Sequence, residues 1–327
     1  MRKITLYSMV MLLAGLAGCL KEDPMKQAYK GFAPADIGDG WTITVPSKVG
    51  IDSVALDNIY KDIYADDEMW MTKSLLVFRE GYLIGESYMK SDEDRTKADA
   101  IWSCTKQVNG IITGIAIHEG FINDVTDPVS LYLPEYIQNY PDKSGLTLEH
   151  LLTMNSGTTY DNGNDSDKFR QRKVDSSLDF VLSFDLAHQP GSYFWYNDGD
   201  PQVVSGIVQA ATGKTLSDYG KEVLLDPLGI SNFEWEVYQD GVTLGAFGIL
   251  TTAREMAKIA QCVLDSGMYG GRQLIPKDWL VEMLSAKVTG LHDDLVFGYF
   301  WWGMPTKGYH FMWGHGGQYA FIIPEKD

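Results

Sequence analysis

Residues 101–116, Ile-Trp-Ser-Cys-Thr-Lys-Gln-Val-Asn-Gly-Ile-Ile-Thr-Gly-Ile-Ala, decide how the rest of this chain is read. Val108, Ile111, Ile112 and Ile115 recur at i, i+3, i+4 and i+7, which predicts a helix. Gly110 and Gly114 thin that helix, so it suits a segment packed closely by neighbours. Ser103 and Lys106 stand at its head, three residues apart and therefore on one face. The helix N-terminus adds a field that favours negative charge at the serine. These are the parts of a serine nucleophile activated by a lysine. The blander alternative is a core helix that starts with serine and carries a lysine near its exposed end. The motif also recurs at Ser87-Tyr88-Met89-Lys90, inside a predicted strand, where alternation sends the two side chains to opposite faces. Context has to separate the two.

Upstream, Asp52 caps a predicted helix over residues 51–66, with Leu56, Ile59, Tyr60 and Ile63 on one face. Leu75–Phe78, a turn at Glu80-Gly81, and Tyr82–Ile84 read as a β-hairpin. Downstream the signals are mostly helical. Thr147 opens a helix that Ser156-Gly157 closes, and Val203–Ala211 stops at Gly213. Thr252-Ala253-Arg254-Glu255 is a capping box, and Pro276 starts a last helix through Leu284. Strand character returns only at Phe297–Trp302 and Tyr319–Ile323. Strands, a helical block and strands again predict an α/β (α+β) fold with an inserted helical subdomain.

The N-terminus carries a second message. Arg2 and Lys3 precede an apolar run, Met9–Leu16, too short for a stable bilayer span. Residues 1–18 read as a signal peptide, and Leu16-Ala17-Gly18-Cys19 resembles the lipobox of bacterial lipoproteins, in which the cysteine is lipidated. Residues 19–45 are read as a tether and 46–327 as one domain, its α/β part 46–100 and 291–327, its helical part 101–290. The expected location is the cell envelope, on the periplasmic or surface face, with the membrane reached through Cys19. With 27 basic against 44 acidic residues, the formal charge is −17. Loss of Arg2 and Lys3 would take it to about −19, which excludes a nucleic-acid footprint. Cys104 and Cys262 lie in separate helical patterns and make no disulfide framework. No His-Glu-x-x-His, Cys-x-x-Cys, Walker or Gly-x-Ser-x-Gly motif is present, so no metal, cofactor or nucleophile elbow is indicated.

Two further segments follow Ser103. Pro190-Gly191-Ser192-Tyr193-Phe194-Trp195-Tyr196-Asn197-Asp198-Gly199 is an aromatic loop leading into a helix, and Trp313-Gly314-His315-Gly316-Gly317-Gln318 opens a strand. Ser-x-x-Lys, a tyrosine after Pro-Gly and His-Gly-Gly before a strand together resemble the serine β-lactamase-related family. That family includes class C β-lactamases, DD-peptidases, esterases and 6-aminohexanoate-dimer hydrolases. The resemblance runs from about residue 50 to the end and includes Leu151–Gly157, Asp226–Gly229 and Thr251–Arg254. It implies a β-lactamase/transpeptidase-like antiparallel sheet flanked by helices, and a hydrolase acting on a small-molecule or peptide substrate. Ser103 would be the acylated nucleophile, Lys106 its partner and Tyr196 the proton-relaying phenol. The backbone N–H groups of Ser103 and Gln318 would hold the oxyanion.

Departures from the family pattern matter. Asp198 stands where asparagine commonly follows the tyrosine; a carboxylate there could hold Lys106 protonated and shift the base role to Tyr196. A strict Tyr-x-Asn occurs instead at Tyr160-Asp161-Asn162, and Tyr160 is a candidate for the substrate rim. His315, with Gly316 and Gly317, replaces the lysine of classical β-lactamases, which favours a peptidase, amidase or esterase over an efficient β-lactamase. An impaired member that binds peptidoglycan-like or peptide ligands is the alternative. In the family two further strands and a C-terminal helix follow this third motif. The expectation is therefore that the 327 residues are truncated at the C-terminus, leaving Tyr319–Ile323 without a partner toward the hairpin.

Overall fold

The computed structural model describes residues 25–326; the signal-peptide and Cys19 readings lie outside the described residues. After β1 (Thr42–Ile43) comes helix α1 (Ser53–Ala65), whose cap Asp52 accepts from the amides of Val54 and Ala55. Strands β2 (Ser74–Arg79) and β3 (Tyr82–Tyr88) form the expected hairpin around Glu80-Gly81. The chain continues through β4 (Asp99–Ala100), α2 (Cys104–His118), α3 (Pro134–Ile137), α4 (Leu148–Leu152), α5 (Asn162–Arg170) and α6 (Ser177–Leu182). Next are α7 (Gly199–Thr212), α8 (Leu216–Gly220), β5 (Phe233–Trp235), β6 (Ile249–Thr251) and α9 (Ala253–Leu264). The last elements are β7 (Met268–Tyr269), β8 (Arg272–Gln273), α10 (Lys277–Leu284), β9 (Val296–Phe297), β10 (Trp302–Met304), β11 (Tyr309–Gly314) and β12 (Gln318–Ile322).

The strands make small sheets in the orders β1-β3-β2, β12-β11-β10-β9, β4-β6-β5 and β7-β8, antiparallel except where β1 runs beside β3. Among the described residues β12 pairs only with β11, and α9 lies against both β12 and β2, bridging the first two sheets. One apolar core runs from Ile101 to Ile322, with α2 at its centre. Every residue of α2 from Cys104 to Ala116 is buried. The close packing expected from its glycines is there: a Cβ on Gly114 would sit 2.0 Å from the indole nitrogen of Trp279, which itself donates to the carbonyl of Gly110 at 3.1 Å. A second, smaller core joins Val49, Leu56, Tyr60, Ile84 and Met89.

Three expectations change. Residues 25–45 are not a loose tether, because polar and aromatic contacts fasten them to the sheet. The amide of Gln27 donates to the carbonyl of Met89 at 2.8 Å, Phe32 stacks on Tyr60, and Arg254 clasps Asp39. Ile59 is half exposed, while Leu56 and Tyr60 of α1 are buried in the second core and Ile63 packs against it partly buried. Phe297–Trp302 is not one strand: Gly298 donates to Trp301 and Phe300 takes φ +61°, so the chain turns between β9 and β10. The aromatic run at 299–302 is core, all four side chains being buried.

Candidate active site

Ser103 is the N-cap residue of α2, but its side chain makes no capping bond, so Oγ is left for other partners. The residue before it, Trp102, holds φ +48°, a left-handed conformation that costs a bulky residue energy and is concentrated at functional sites. One turn into the helix, Lys106 is fully buried. Its Nζ donates to Ser103 Oγ at 2.9 Å, to Asp198 Oδ1 at 2.7 Å and to the carbonyl of Ala246 at 3.0 Å. An ammonium has three protons, and each has an acceptor. Burial opposes the charge, but the carboxylate of Asp198 and the phenol of Tyr196 outweigh it, and the Lys106 pKa is raised.

The ring of Tyr196 lies beside that ammonium, its centroid 5.1 Å from Nζ. Burial pushes the phenol pKa up; Lys106 and Ser103 pull in the opposite direction without reversing it. At rest Lys106 is therefore an ammonium and Tyr196 a neutral phenol. Asp198 is also the N-cap of α7, and the contact of α7 with α2 is what brings it to Lys106. Trp302 packs on Tyr196 from behind, with ring centroids 5.5 Å apart.

The third motif arrives from the β11–β12 turn. His315 is exposed and sets its ring edge-on to Trp102 at 5.9 Å, while Gly316 and Gly317 leave the turn backbone open to solvent. Gln318 is half-buried, and its carbonyl accepts the thiol of Cys104 at 3.5 Å. That contact sets Gln318 against the start of α2, the side on which Ser103 lies. Cys104 itself is buried, and burial pushes its thiol pKa far up, as expected of a packing residue. A recess of about 290 Å³, lined by Thr158, Asp161, His188, Tyr193 and Trp195, opens beside the Tyr196 loop. A larger one of about 400 Å³ lies between Trp41 and Tyr269 and contains none of these residues.

Tyr160 does not line a rim. It is fully buried against Phe169, Phe180 and Phe184, with its hydroxyl 3.2 Å from Ser166 Oγ. Asn162 of the same motif accepts from the amide of Asp198 at 2.8 Å, and Ser166 donates to Asp198 Oδ2 at 2.5 Å. The strict Tyr-x-Asn is thus packed behind the Tyr196 segment and supports it. Sequence reading missed Asn162, Ser166 and the Ala246 carbonyl as partners. The spacing of Asn162, Ser166 and Phe169 on one helix face was the available signal. At the decoy motif, Ser87 is buried and its Oγ meets Tyr64 OH at 2.9 Å, inside the N-terminal sheet. Among the described residues no cluster of His, Cys, Asp and Glu could hold a metal ion.

A family model described as Beta-lactamase matches residues 83–327. A curated protein of Salmonella enteritidis PT4, named "Putative D-alanyl-D-alanine carboxypeptidase", is 24% identical over 226 residues, covering 62% of this chain and 52% of its own. The chain spans about half the length of the curated relatives it matches. Among solved structures, a "Putative 6-aminohexanoate-dimer hydrolase" from Bacillus anthracis aligns with TM-score 0.69 and 22% identity over 78% of this chain and 71% of the other. A penicillin-binding protein homolog from Caulobacter crescentus aligns with TM-score 0.69 and 16% identity over 87% and 91%. At these identities the structural likeness is one of fold.

Proposed function

This chain belongs to the beta-lactamase family, and from that premise we propose that it is a serine hydrolase that forms an acyl-enzyme at Ser103 on an amide or ester substrate. The observation that carries the proposal is the set of three hydrogen bonds from Lys106 to Ser103, Asp198 and Ala246. With all three protons engaged, Lys106 is a donor to Ser103 Oγ and has no lone pair to offer. The base is then Tyr196, acting as the phenolate fraction that the adjacent ammonium favours. Ser103 Oγ attacks the carbonyl carbon while its proton passes to Tyr196. The oxyanion takes the amides of Ser103 and Gln318. Tyr196 returns the proton to the leaving amine or alcohol, and a water molecule repeats the sequence to free the acid.

The exposed His315 is no permanent cation for gripping a carboxylate, so a peptidase, amidase or esterase fits better than an efficient β-lactamase. Peptide-like amides are the first substrates to try, given the carboxypeptidase named among the relatives and a D-stereospecific amidohydrolase among the fold neighbours. Fluorophosphonate labelling of the wild type and of Ser103→Ala tests the reading. The serine variant should lose all label yet melt within a few degrees of wild type, and Ser87→Ala should label normally. Label retained by Ser103→Ala would overturn it.

A second reading has an observation of its own. An ammonium held by a carboxylate and a phenol with a raised pKa describe a slow catalyst, one whose role would be binding peptidoglycan-like or peptide ligands. Stoichiometric labelling without turnover on D-amino-acid amides or esters would favour it. We also propose export as a lipoprotein anchored through Cys19, supported by the Leu16-Ala17-Gly18-Cys19 segment. Metabolic labelling with a radioactive fatty acid, lost in Cys19→Ser, checks that.

A further inference from the structure

The pairing of Lys106 with Asp198 leaves a question of geometry, because a carboxylate at the start of a helix can swing. Its second oxygen, Oδ2, accepts from Ser166 Oγ at 2.5 Å, and its own amide donates to Asn162 Oδ1 at 2.8 Å. Ser166 is buried at 1% exposure, and its oxygen also lies 3.2 Å from Tyr160 OH. A serine hydroxyl carries one proton. The short contact assigns that proton to Asp198, so Tyr160 must donate to Ser166. The result is one directed chain: Tyr160 donates to Ser166, Ser166 to Asp198 Oδ2, and Lys106 to both Asp198 Oδ1 and Ser103.

Everything that holds the far side of Asp198 comes from one short segment. Asn162, Ser166 and Phe169 share a face of α5 at i, i+4 and i+7. Phe169 anchors that face among Tyr160, Phe180 and Tyr238. Asp161 caps the helix by accepting from the amide of Asn164 at 3.1 Å.

We infer that Ser166 is a positioning residue for catalysis, fixing the carboxylate of Asp198 so that the Lys106 ammonium stays aimed at Ser103, with Tyr160 and Asn162 completing the support. The inference rests on the acyl-enzyme reading above. It turns the Tyr160-Asp161-Asn162 segment, a second copy of the catalytic tyrosine pattern, into the brace of the first. A hydrogen bond to a charged group is stronger than one between neutral groups. The effect of Ser166 should therefore depend on the charge at position 198.

A double-mutant cycle in fluorophosphonate labelling rate at pH 7, on the full chain, tests this. Ser166→Ala should slow labelling about 10-fold in the wild-type background, the order expected for one charge-assisted hydrogen bond. In an Asp198→Asn background the same change should cost about 2-fold or less, because the neutral amide gains little from the hydroxyl. Ser166→Thr, which keeps the donor, should restore most of the rate. Tyr160→Phe should show a smaller loss with the same dependence on Asp198. Equal losses from Ser166→Ala in both backgrounds, or unchanged labelling, would overturn the inference while leaving Ser103 as nucleophile. A wild type that takes no label would sink both readings together.

Discussion

Lys106 Nζ and Asp198 Oδ1 lie 2.7 Å apart, joining positions 92 residues distant in the chain, and the lysine is fully buried. Removing water strengthens both the attraction and the penalty for breaking it. The pair therefore sets the protonation state of the whole site.

The pH dependence of acylation follows from that pair. Tyr196, the base, and Lys106 beside it both have raised pKa values, so the phenolate that accepts the serine proton is a minor species at neutrality. Labelling of Ser103 should rise about tenfold per pH unit from pH 6 to 9 without levelling. Asp198→Asn removes the negative charge that sustains the ammonium, and the rising limb should move to lower pH. A wild-type plateau below pH 8 would show that one of the two groups has a lowered pKa instead.

The two tyrosines can be told apart by kinetics. Tyr196→Phe deletes the phenol that faces Ser103 and should cut turnover by about 10²-fold or more, the scale of a positioned proton-transfer group. Tyr160→Phe removes a hydroxyl that ends on Ser166, and should cost less than about tenfold. The reverse order would mean that the catalytic loop is misassigned.

Stability should carry a signature of Asp200. This carboxyl is buried under the catalytic loop with Oδ2 unpartnered, and burial raises its pKa to about 7, against which Ser156 and Asn197 pull it down. The folded state thus binds a proton that the unfolded state has released. The stabilisation from protonated Asp200 is complete below about pH 4 and is lost as pH rises through about 7, a change on the order of 4 kcal/mol. Asp200→Asn should flatten the fall in unfolding free energy over that window and leave the variant the more stable protein at pH 8. Parallel denaturation curves for the two proteins from pH 4 to 8 would contradict this.

Arg254 should be the weak point of the N-terminal attachment. Its guanidinium bonds Glu86 at 2.6 and 2.7 Å, both oxygens of Asp39 at 3.0 Å and the carbonyl of Ala35 at 2.6 Å. Arg254→Met leaves the fully buried Glu86 carboxylate without its main counter-charge, and such breaks cost about 3–5 kcal/mol. Urea unfolding should show that loss, with proteolysis first appearing within residues 25–45. A midpoint unchanged from wild type would show that the network is dispensable.

Much of what could be read locally was read correctly, Ile59 and the turn inside Phe297–Trp302 excepted, and the reason is geometric. Asp52 capping α1, the hairpin turn at Glu80-Gly81 and the shared face of Ser103 and Lys106 depend on residues within four positions of each other, where chain geometry dictates proximity. The halt of α7 at Gly213, φ +71°, is of the same kind. Other features needed the folded chain. Tyr160 and Tyr196 stand in similar motifs, and the packing of α2 against α7 places Asp198 and Tyr196, the tyrosine that follows Pro-Gly, over Lys106. The third acceptor of Lys106, the Ala246 carbonyl, is 140 residues away and carries no side-chain signature. Asn162, legible only as part of the Tyr-x-Asn motif, and Ser166 gain their role from the buried carboxylate of Asp198 that they bind. The residues of this chain thus determined by themselves which serine and lysine meet and which family the protein resembles. Tertiary packing decided which carbonyl, hydroxyl and amide brace them and in which protonation state they wait, because burial and long-range pairing exist only once distant segments have closed over one another.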